Sequence, residues 1–144
     1  MKRNLTFEVV YPHAPERVWH ALTDPRALAE WLMPNDFKPY VGHHFEFHTA
    51  PAPGFDGVVR CEVIEADPPR RLAYTWQGGP QSKPTIVTWT LEPVGTTTRV
   101  RLEHTGFEGL GGLAVSFLLG RGWRSKVLRQ LATLLDRIEW SAET

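Results

Sequence analysis

Between His43 and His104 the chain contains five consecutive segments in which apolar and polar residues alternate with a period of two. Such alternation is typical of a β-strand with one buried face. The intervening segments, such as APAPGFDG and GGPQSKP, are rich in proline and glycine and short enough for sequential hairpin connections. The pattern therefore predicts an antiparallel meander. Its inward residues, in order, are Phe45 and Phe47; Val59, Cys61 and Val63; Leu72, Tyr74 and Trp76; Val87, Trp89 and Leu91; and Val100, Leu102 and His104.

One further alternating segment and two short helical patterns precede this meander. Residues Leu5 to Tyr11 alternate and predict a strand, which Pro12 ends. A first helix is expected from about Pro15 to Leu22, because proline is tolerated at the first helical position. Asp24 precedes Pro25 and is a suitable N-cap for a second helix, which ends before Pro34.

The last strand is expected to end at His104, with residues 105–107 outside it, and a helical pattern follows. Its apolar residues are spaced by four, four, three and four, at Trp123, Val127, Leu131, Leu134 and Ile138, and predict a long amphipathic helix reaching the C-terminus. The resulting class is α+β, in which a curved antiparallel sheet of six or seven strands buries its apolar face against that helix.

The two short helices cannot be stable alone, because nucleating a helix is costly. We expect Trp19, Leu22, Leu28 and Trp31 to seal the open end between the sheet and the long helix. Residues 1–144 are expected to form a single domain, since their number suits one ordinary core.

Charge, cysteine content and apolar segment length limit the kinds of partner and location that the sequence allows. Sixteen basic residues balance sixteen acidic residues, so nothing indicates a nucleic-acid-binding surface. The single cysteine excludes an internal disulfide and fits a reducing compartment, and cytoplasm is the expected location. The longest apolar segment, Leu110 to Gly120, is too short to span a membrane.

Four motifs together resemble a known family: APERVWHALTDPRALAEW, EVIEADPPRRLAYTW, TWTLEPVGTTTRVRLEHTGF and the pair Gly122-Trp123. They are similar to the START-like (SRPBCC) superfamily, and within it to the activator of heat shock protein ATPase homologue-like branch, which also contains the calicheamicin self-resistance protein. The resemblance implies a helix-grip fold, with the sheet wrapped around the C-terminal helix. It also implies a cavity between them that often accommodates a hydrophobic small molecule.

The aromatic residues of the predicted inner face are the candidate ligand-binding residues. They are expected to border an apolar cavity of ~300–1,000 Å³, although the same rings could simply fill the core. His104 could bind the polar end of a ligand or act as an acid or base, or it could be a buried histidine satisfied by one hydrogen bond. Tyr74 could supply a phenolic donor. The full candidate set is Trp31, Phe45, Phe47, Cys61, Tyr74, Trp76, Trp89, His104, Phe107, Phe117 and Trp123.

No metal or cofactor is expected. His43, His44 and His48 cluster with Glu46, but His44 and His48 would lie ~13 Å apart along a strand, and both would face away from the core. Cys61 lacks a neighbouring base that would make it a nucleophile. The short motifs of serine hydrolases, dinucleotide-binding folds and zinc proteases do not occur.

These observations favour a binder of a small hydrophobic molecule, aromatic or polyketide-like, without catalysis or with weak catalysis. A protein interaction module that acts through the sheet surface or the apolar segment after Gly106 is the alternative. An enzyme acting on a small aromatic substrate is the third candidate. The segment from Gly106 to Gly120 could be a mobile lid, a contact in a homodimer or part of the core.

Overall fold

The computed structural model describes residues 2–51, 56–78, 83–108 and 121–137. The elements are β1 (Lys2–Tyr11), α1 (Pro15–Thr23), α2 (Pro25–Trp31), β2 (His44–His48), β3 (Val58–Asp67), β4 (Arg71–Trp76), β5 (Thr85–Val94), β6 (Thr97–Glu108) and the C-terminal helix α3, described over residues 121–137. Within α3 the segment Lys126–Leu131 is a π-helix, and Ala132–Arg137 is α-helical.

The sheet is antiparallel throughout, in the order β1-β6-β5-β4-β3-β2. The meander from β2 to β6 is confirmed, and β1 extends the sheet beside β6. Six strands are present in the described residues, within the predicted range. Buried residues alternate along the strands as the sequence predicts, because successive side chains of a strand point to opposite faces. The curved sheet and the C-terminal helix form the predicted helix-grip fold.

The two short helices begin as predicted. Pro15 and Pro25 open them, and a carboxylate oxygen of Asp24 accepts a hydrogen bond from the Ala27 amide at 3.0 Å. Trp31 is buried, and its indole N–H donates to the Ala21 carbonyl oxygen at 2.8 Å, which joins α2 to α1. Trp19 is only partly buried. Trp31 is therefore the more deeply packed of the two tryptophans that were expected to seal the fold.

The expectation that the chain leaves the strand after His104 is wrong. β6 continues to Glu108 and contains a bulge, because it advances three residues, from His104 to Phe107, where β1 advances two, from Leu5 to Arg3. Gly106 supplies the positive φ of +99° that this irregularity requires. Residues three apart on a regular strand face opposite sides of the sheet. The bulge thus allows His104 and Phe107 both to be buried.

The C-terminal helix packs through one face onto the sheet. Trp123, Val127, Leu131 and Leu134 are buried, as predicted, and Ile138 lies outside the described residues. The buried hydroxyl of Tyr11 donates to the Val127 carbonyl oxygen at 2.6 Å, within the π-helical segment. None of the described helices is both long and apolar enough to cross a bilayer.

Candidate ligand-binding site

The predicted site residues lie on the inner face of the sheet and on the helices that cover it. Phe117 lies outside the described residues. The others are all buried, and none is more than 5% exposed. We call this set the inner cluster; it consists of Trp31, Phe45, Phe47, Cys61, Tyr74, Trp76, Trp89, His104, Phe107 and Trp123.

Rings of the inner cluster contact one another from β2 to α3. Phe47 lies between Tyr74 and Trp76, with centroid separations of 6.3 and 5.5 Å. Trp123 of α3 contacts Trp76 at 5.2 Å and Trp89 at 5.8 Å. The cluster therefore connects the edge of the sheet to the helix without interruption. The rings contact one another in this structure. The apolar cavity expected between the sheet and the helix stays a prediction.

His104 is held by a chain of hydrogen bonds within the protein. Its Nδ1 accepts from the indole N–H of Trp123 at 2.9 Å, so the ring proton is assigned to Nε2. Nε2 then donates to Oγ1 of Thr85 at 2.6 Å, and that hydroxyl donates to the Trp76 carbonyl oxygen at 2.9 Å. Burial lowers the pKa of His104 to about 3. The imidazole is neutral, and both of its nitrogens have partners.

Tyr74 has a different partner from His104. Its hydroxyl oxygen accepts a hydrogen bond from the indole N–H of Trp89 at 3.0 Å. Burial raises the pKa of Tyr74 well above the ordinary value for a phenol, so the hydroxyl keeps its proton. Tyr74 and His104 therefore bind different tryptophans, and each is neutral.

Cys61 lies opposite Phe45 in the pairing of β2 with β3 and is buried. Burial raises the pKa of its thiol, and the carboxylates of Asp36 and Glu46 raise that pKa further. The thiol is therefore protonated, which makes it a poor nucleophile. His44 and His48 are exposed, and the described residues include no cluster of three or more potential metal ligands.

Two residues that contact the inner cluster were missed by the sequence reasoning. Phe37 lies between α2 and β2, is 1% exposed, and contacts Phe45 at 4.9 Å and Tyr74 at 6.3 Å. It lies between Asp36 and Lys38, where no periodicity marks it. Thr85 has the same strand parity as Val87 and Trp89, and that parity could have identified it as inward-facing.

An open surface depression of about 400 Å³ lies away from the inner cluster. Its lining residues are Asp67, Arg70, Arg71, Thr90, Leu91, Glu92 and Pro93. Arg70 is paired with Asp67 at 2.7 Å, and Arg71 with Glu65 at 2.8 Å. These guanidinium groups are already paired, and the depression is open to solvent, so it does not offer an enclosed site for a hydrophobic ligand.

Comparison with known proteins gives a family match over most of the chain. The family model described as activator of Hsp90 ATPase homolog 1-like protein matches residues 12–136. Protein MLL2253 from Mesorhizobium loti, whose crystal structure is known, is 37% identical, with a TM-score of 0.85 over 96% of this chain and 100% of that protein. No match of comparable significance was found among curated proteins.

Two other solved structures are similar to this chain. DynU16, a protein in the dynemicin biosynthetic locus, is 25% identical, with a TM-score of 0.77, and the match covers 93% of this chain and 47% of DynU16. CalU16 from Micromonospora echinospora is 23% identical, with a TM-score of 0.74, and the match covers 94% of this chain and 78% of CalU16. At 23% identity, the similarity to CalU16 supports the fold alone.

Proposed function

Because this chain belongs to the activator of Hsp90 ATPase homolog 1-like family, whose fold can bind ligands, we propose that it binds a small, uncharged, hydrophobic molecule between the sheet and α3. The proposal places the ligand against the inner cluster. We further propose that this ligand is aromatic or polyketide-like. The similarity to DynU16 supports a small-molecule ligand, because DynU16 is a protein in a biosynthetic locus, where small molecules are made.

The observation that carries the proposal is the continuity of the inner cluster. Trp31, Trp76, Trp89 and Trp123 meet within one contact network, with centroid separations of 5.2 to 5.9 Å between neighbours. Aromatic rings prefer edge-to-face or offset contacts at these separations. An aromatic ligand can replace one such contact with an equivalent contact of its own, so the loss on opening the cluster is partly offset.

The chemistry of the interior determines the charge of the ligand. Among the described residues, the buried polar side chains outside the aromatic set are Thr85, Thr98 and His104, and all three are neutral. A charged ligand would lose its hydration here without gaining a counter-ion, which costs several kcal/mol. The site therefore suits a neutral molecule.

Native mass spectrometry of the protein purified from its own host tests the proposal. The expected spectrum contains a complex heavier than the chain by the mass of one small molecule, which is released on unfolding. Trp76→Ala removes a ring at the centre of the inner cluster, so this variant should lose the additional mass. Trp19→Ala is the matched control, because Trp19 is partly buried on α1 outside the cluster, and it should retain the mass. A wild-type spectrum of the bare chain alone would contradict the proposal.

The same experiment addresses a second candidate, the protein interaction module. One observation favours it: Tyr40 and Val41 form an exposed apolar pair, 67% and 66% exposed. The pair lies beside the sheet, because the amide of the next residue, Gly42, donates to the Val63 carbonyl oxygen of β3. An added mass of protein size that disappears when Tyr40 and Val41 are replaced by serine would favour the interaction module over the ligand binder.

A further inference from the structure

Most buried polar groups of the described core have partners. The indole N–H groups of Trp31, Trp89 and Trp123 each donate to an acceptor within the protein. The hydroxyls of Tyr11 and Thr85 also donate to backbone carbonyl oxygens. A buried donor without an acceptor is costly. Buried donors for which no described residue is an acceptor are therefore informative.

Two donors of the inner cluster have no acceptor among the described residues, and both lie on β4. The hydroxyl of Tyr74 accepts from Trp89, but its own proton has no described acceptor. The indole N–H of Trp76 also has none within the described part of the chain. Tyr74 is 1% exposed and Trp76 is 5% exposed, so bulk water has little access to either.

The residues that carry these two donors lie on the same face of β4. Residues two apart on a strand point to the same face, about 6.6 Å from one another. Phe47 contacts both rings, which confirms that they face the same interior region. The neighbouring described side chains are apolar rings, the thiol of Cys61, and His104, whose two ring nitrogens already have partners, so they offer no free strong acceptor. Since the described residues provide no acceptor for these two donors, a ligand oxygen is a suitable partner for them.

We propose that Tyr74 determines ligand specificity by donating its hydroxyl proton to a carbonyl oxygen of a neutral aromatic ligand, with the Trp76 indole N–H as a second donor on the same face. This inference rests on the proposed function and names the chemical class of its ligand. Pure hydrocarbons would leave both donors unpaired, and a ligand that presents only donors to β4 would be rejected.

A matched pair of probes tests the role of Tyr74. The aromatic ketone 1-tetralone and the hydrocarbon tetralin have the same ring skeleton, and only the ketone has an acceptor. Isothermal titration calorimetry should show that Tyr74→Phe weakens 1-tetralone binding about 3–10-fold, as expected for one neutral hydrogen bond. Tetralin binding should change less than about twofold, because tetralin cannot accept that bond.

Comparing both probes on one variant separates specificity from damage to the fold. Tyr74→Phe also removes the acceptor of the Trp89 N–H, and a general loss of structure would weaken both probes equally. Tyr11→Phe is the matched control, because Tyr11 is also a buried tyrosine but its hydroxyl already has an acceptor in Val127. It should leave the ratio of the two affinities unchanged.

The outcomes distinguish this inference from the function on which it rests. A wild-type protein that binds neither probe would overturn the proposed function. Binding of both probes with equal losses in Tyr74→Phe, or with no loss of 1-tetralone affinity, would overturn the role of Tyr74 alone. A selective loss for 1-tetralone supports it.

Discussion

His104 shows how one residue can link protonation to the stability of the fold. Its pKa of about 3 lies below the ordinary value of 6.5, so between these values the unfolded chain binds one more proton than the folded chain. The contribution of neutral His104 to stability is complete above about pH 6.5 and is lost as the pH falls toward 3. The free energy of unfolding should therefore decrease by up to about 1.4 kcal/mol per pH unit in that window because of this residue.

The variant His104→Asn isolates this contribution from that of the surface carboxylates. Asparagine does not titrate, but its side-chain oxygen can take the place of Nδ1 and accept from the Trp123 indole N–H. Urea unfolding of both proteins between pH 7 and pH 4 should show a steeper loss of stability in the wild type. Parallel pH dependences would mean that His104 has the same pKa in the folded and unfolded chains, which would contradict this prediction.

At the scale of elements, the contributions of α1 and α2 to stability depend on how deeply the tryptophan of each helix is buried. Trp31 of α2 is 1% exposed and contacts Trp89 of the sheet edge-to-face at 5.9 Å, whereas Trp19 of α1 is partly buried. Trp31→Ala should lower the free energy of unfolding by about 3–5 kcal/mol. Trp19→Ala should cost less than half as much, because it removes less buried area. Equal shifts of the two urea midpoints would contradict this ranking.

Among the described residues, the hydroxyl of Tyr11 joins the π-helical segment of α3 to the sheet. Tyr11→Phe removes the hydrogen bond to the Val127 carbonyl oxygen and should cost about 0.5–1.5 kcal/mol, or up to about 3 kcal/mol if that carbonyl finds no other partner. Tyr40→Phe is the control, because the Tyr40 side chain is 67% exposed and water can solvate its hydroxyl. Thermal unfolding compares the two, and a Tyr11→Phe midpoint equal to that of the wild type would show that this bond does not stabilise α3.

The strands and helix starts could be predicted from sequence because local physics determines them. Alternation follows from the pleat of a strand, and Asp24 before Pro25 follows from the geometry of a helix N-cap. The bulge at Gly106 and the π-helical segment could not be predicted this way, because each depends on pairing with distant parts of the chain. The burial of Phe37 was missed for the same reason.

The candidate site was predictable only as a set of inward-facing residues. Strand parity placed Tyr74, Trp76, Trp89 and His104 on the buried face, and all four are buried. Parity carries no information on which polar atoms bind each other. The pairing of His104 with Trp123 and of Tyr74 with Trp89 required the relative positions of two elements in each case.

At the scale of the whole molecule, the charged side chains of the described residues lie at the surface. The formal net charge is zero, and pairs such as Arg71 with Glu65 and Arg137 with Glu30 have side chains that are 45% to 64% exposed. Exposed pairs contribute little to stability and are screened by salt. Neither the net charge nor the described interior offers a ligand long-range electrostatic attraction.

This separation of charge predicts selectivity between methyl 1-naphthoate and the 1-naphthoate anion, which share one ring system and differ in charge at pH 7. The ester should bind at least about tenfold more tightly, because an unpaired buried carboxylate costs several kcal/mol. Quenching of tryptophan emission measures both affinities, since a ligand in the inner cluster changes the surroundings of Trp76 and Trp89. The affinity of the ester should also be nearly independent of sodium chloride between about 0.05 and 0.5 M, where screening would weaken an ionic contact. Tighter binding of the anion, weakened by salt, would instead identify a cationic site and contradict a neutral ligand.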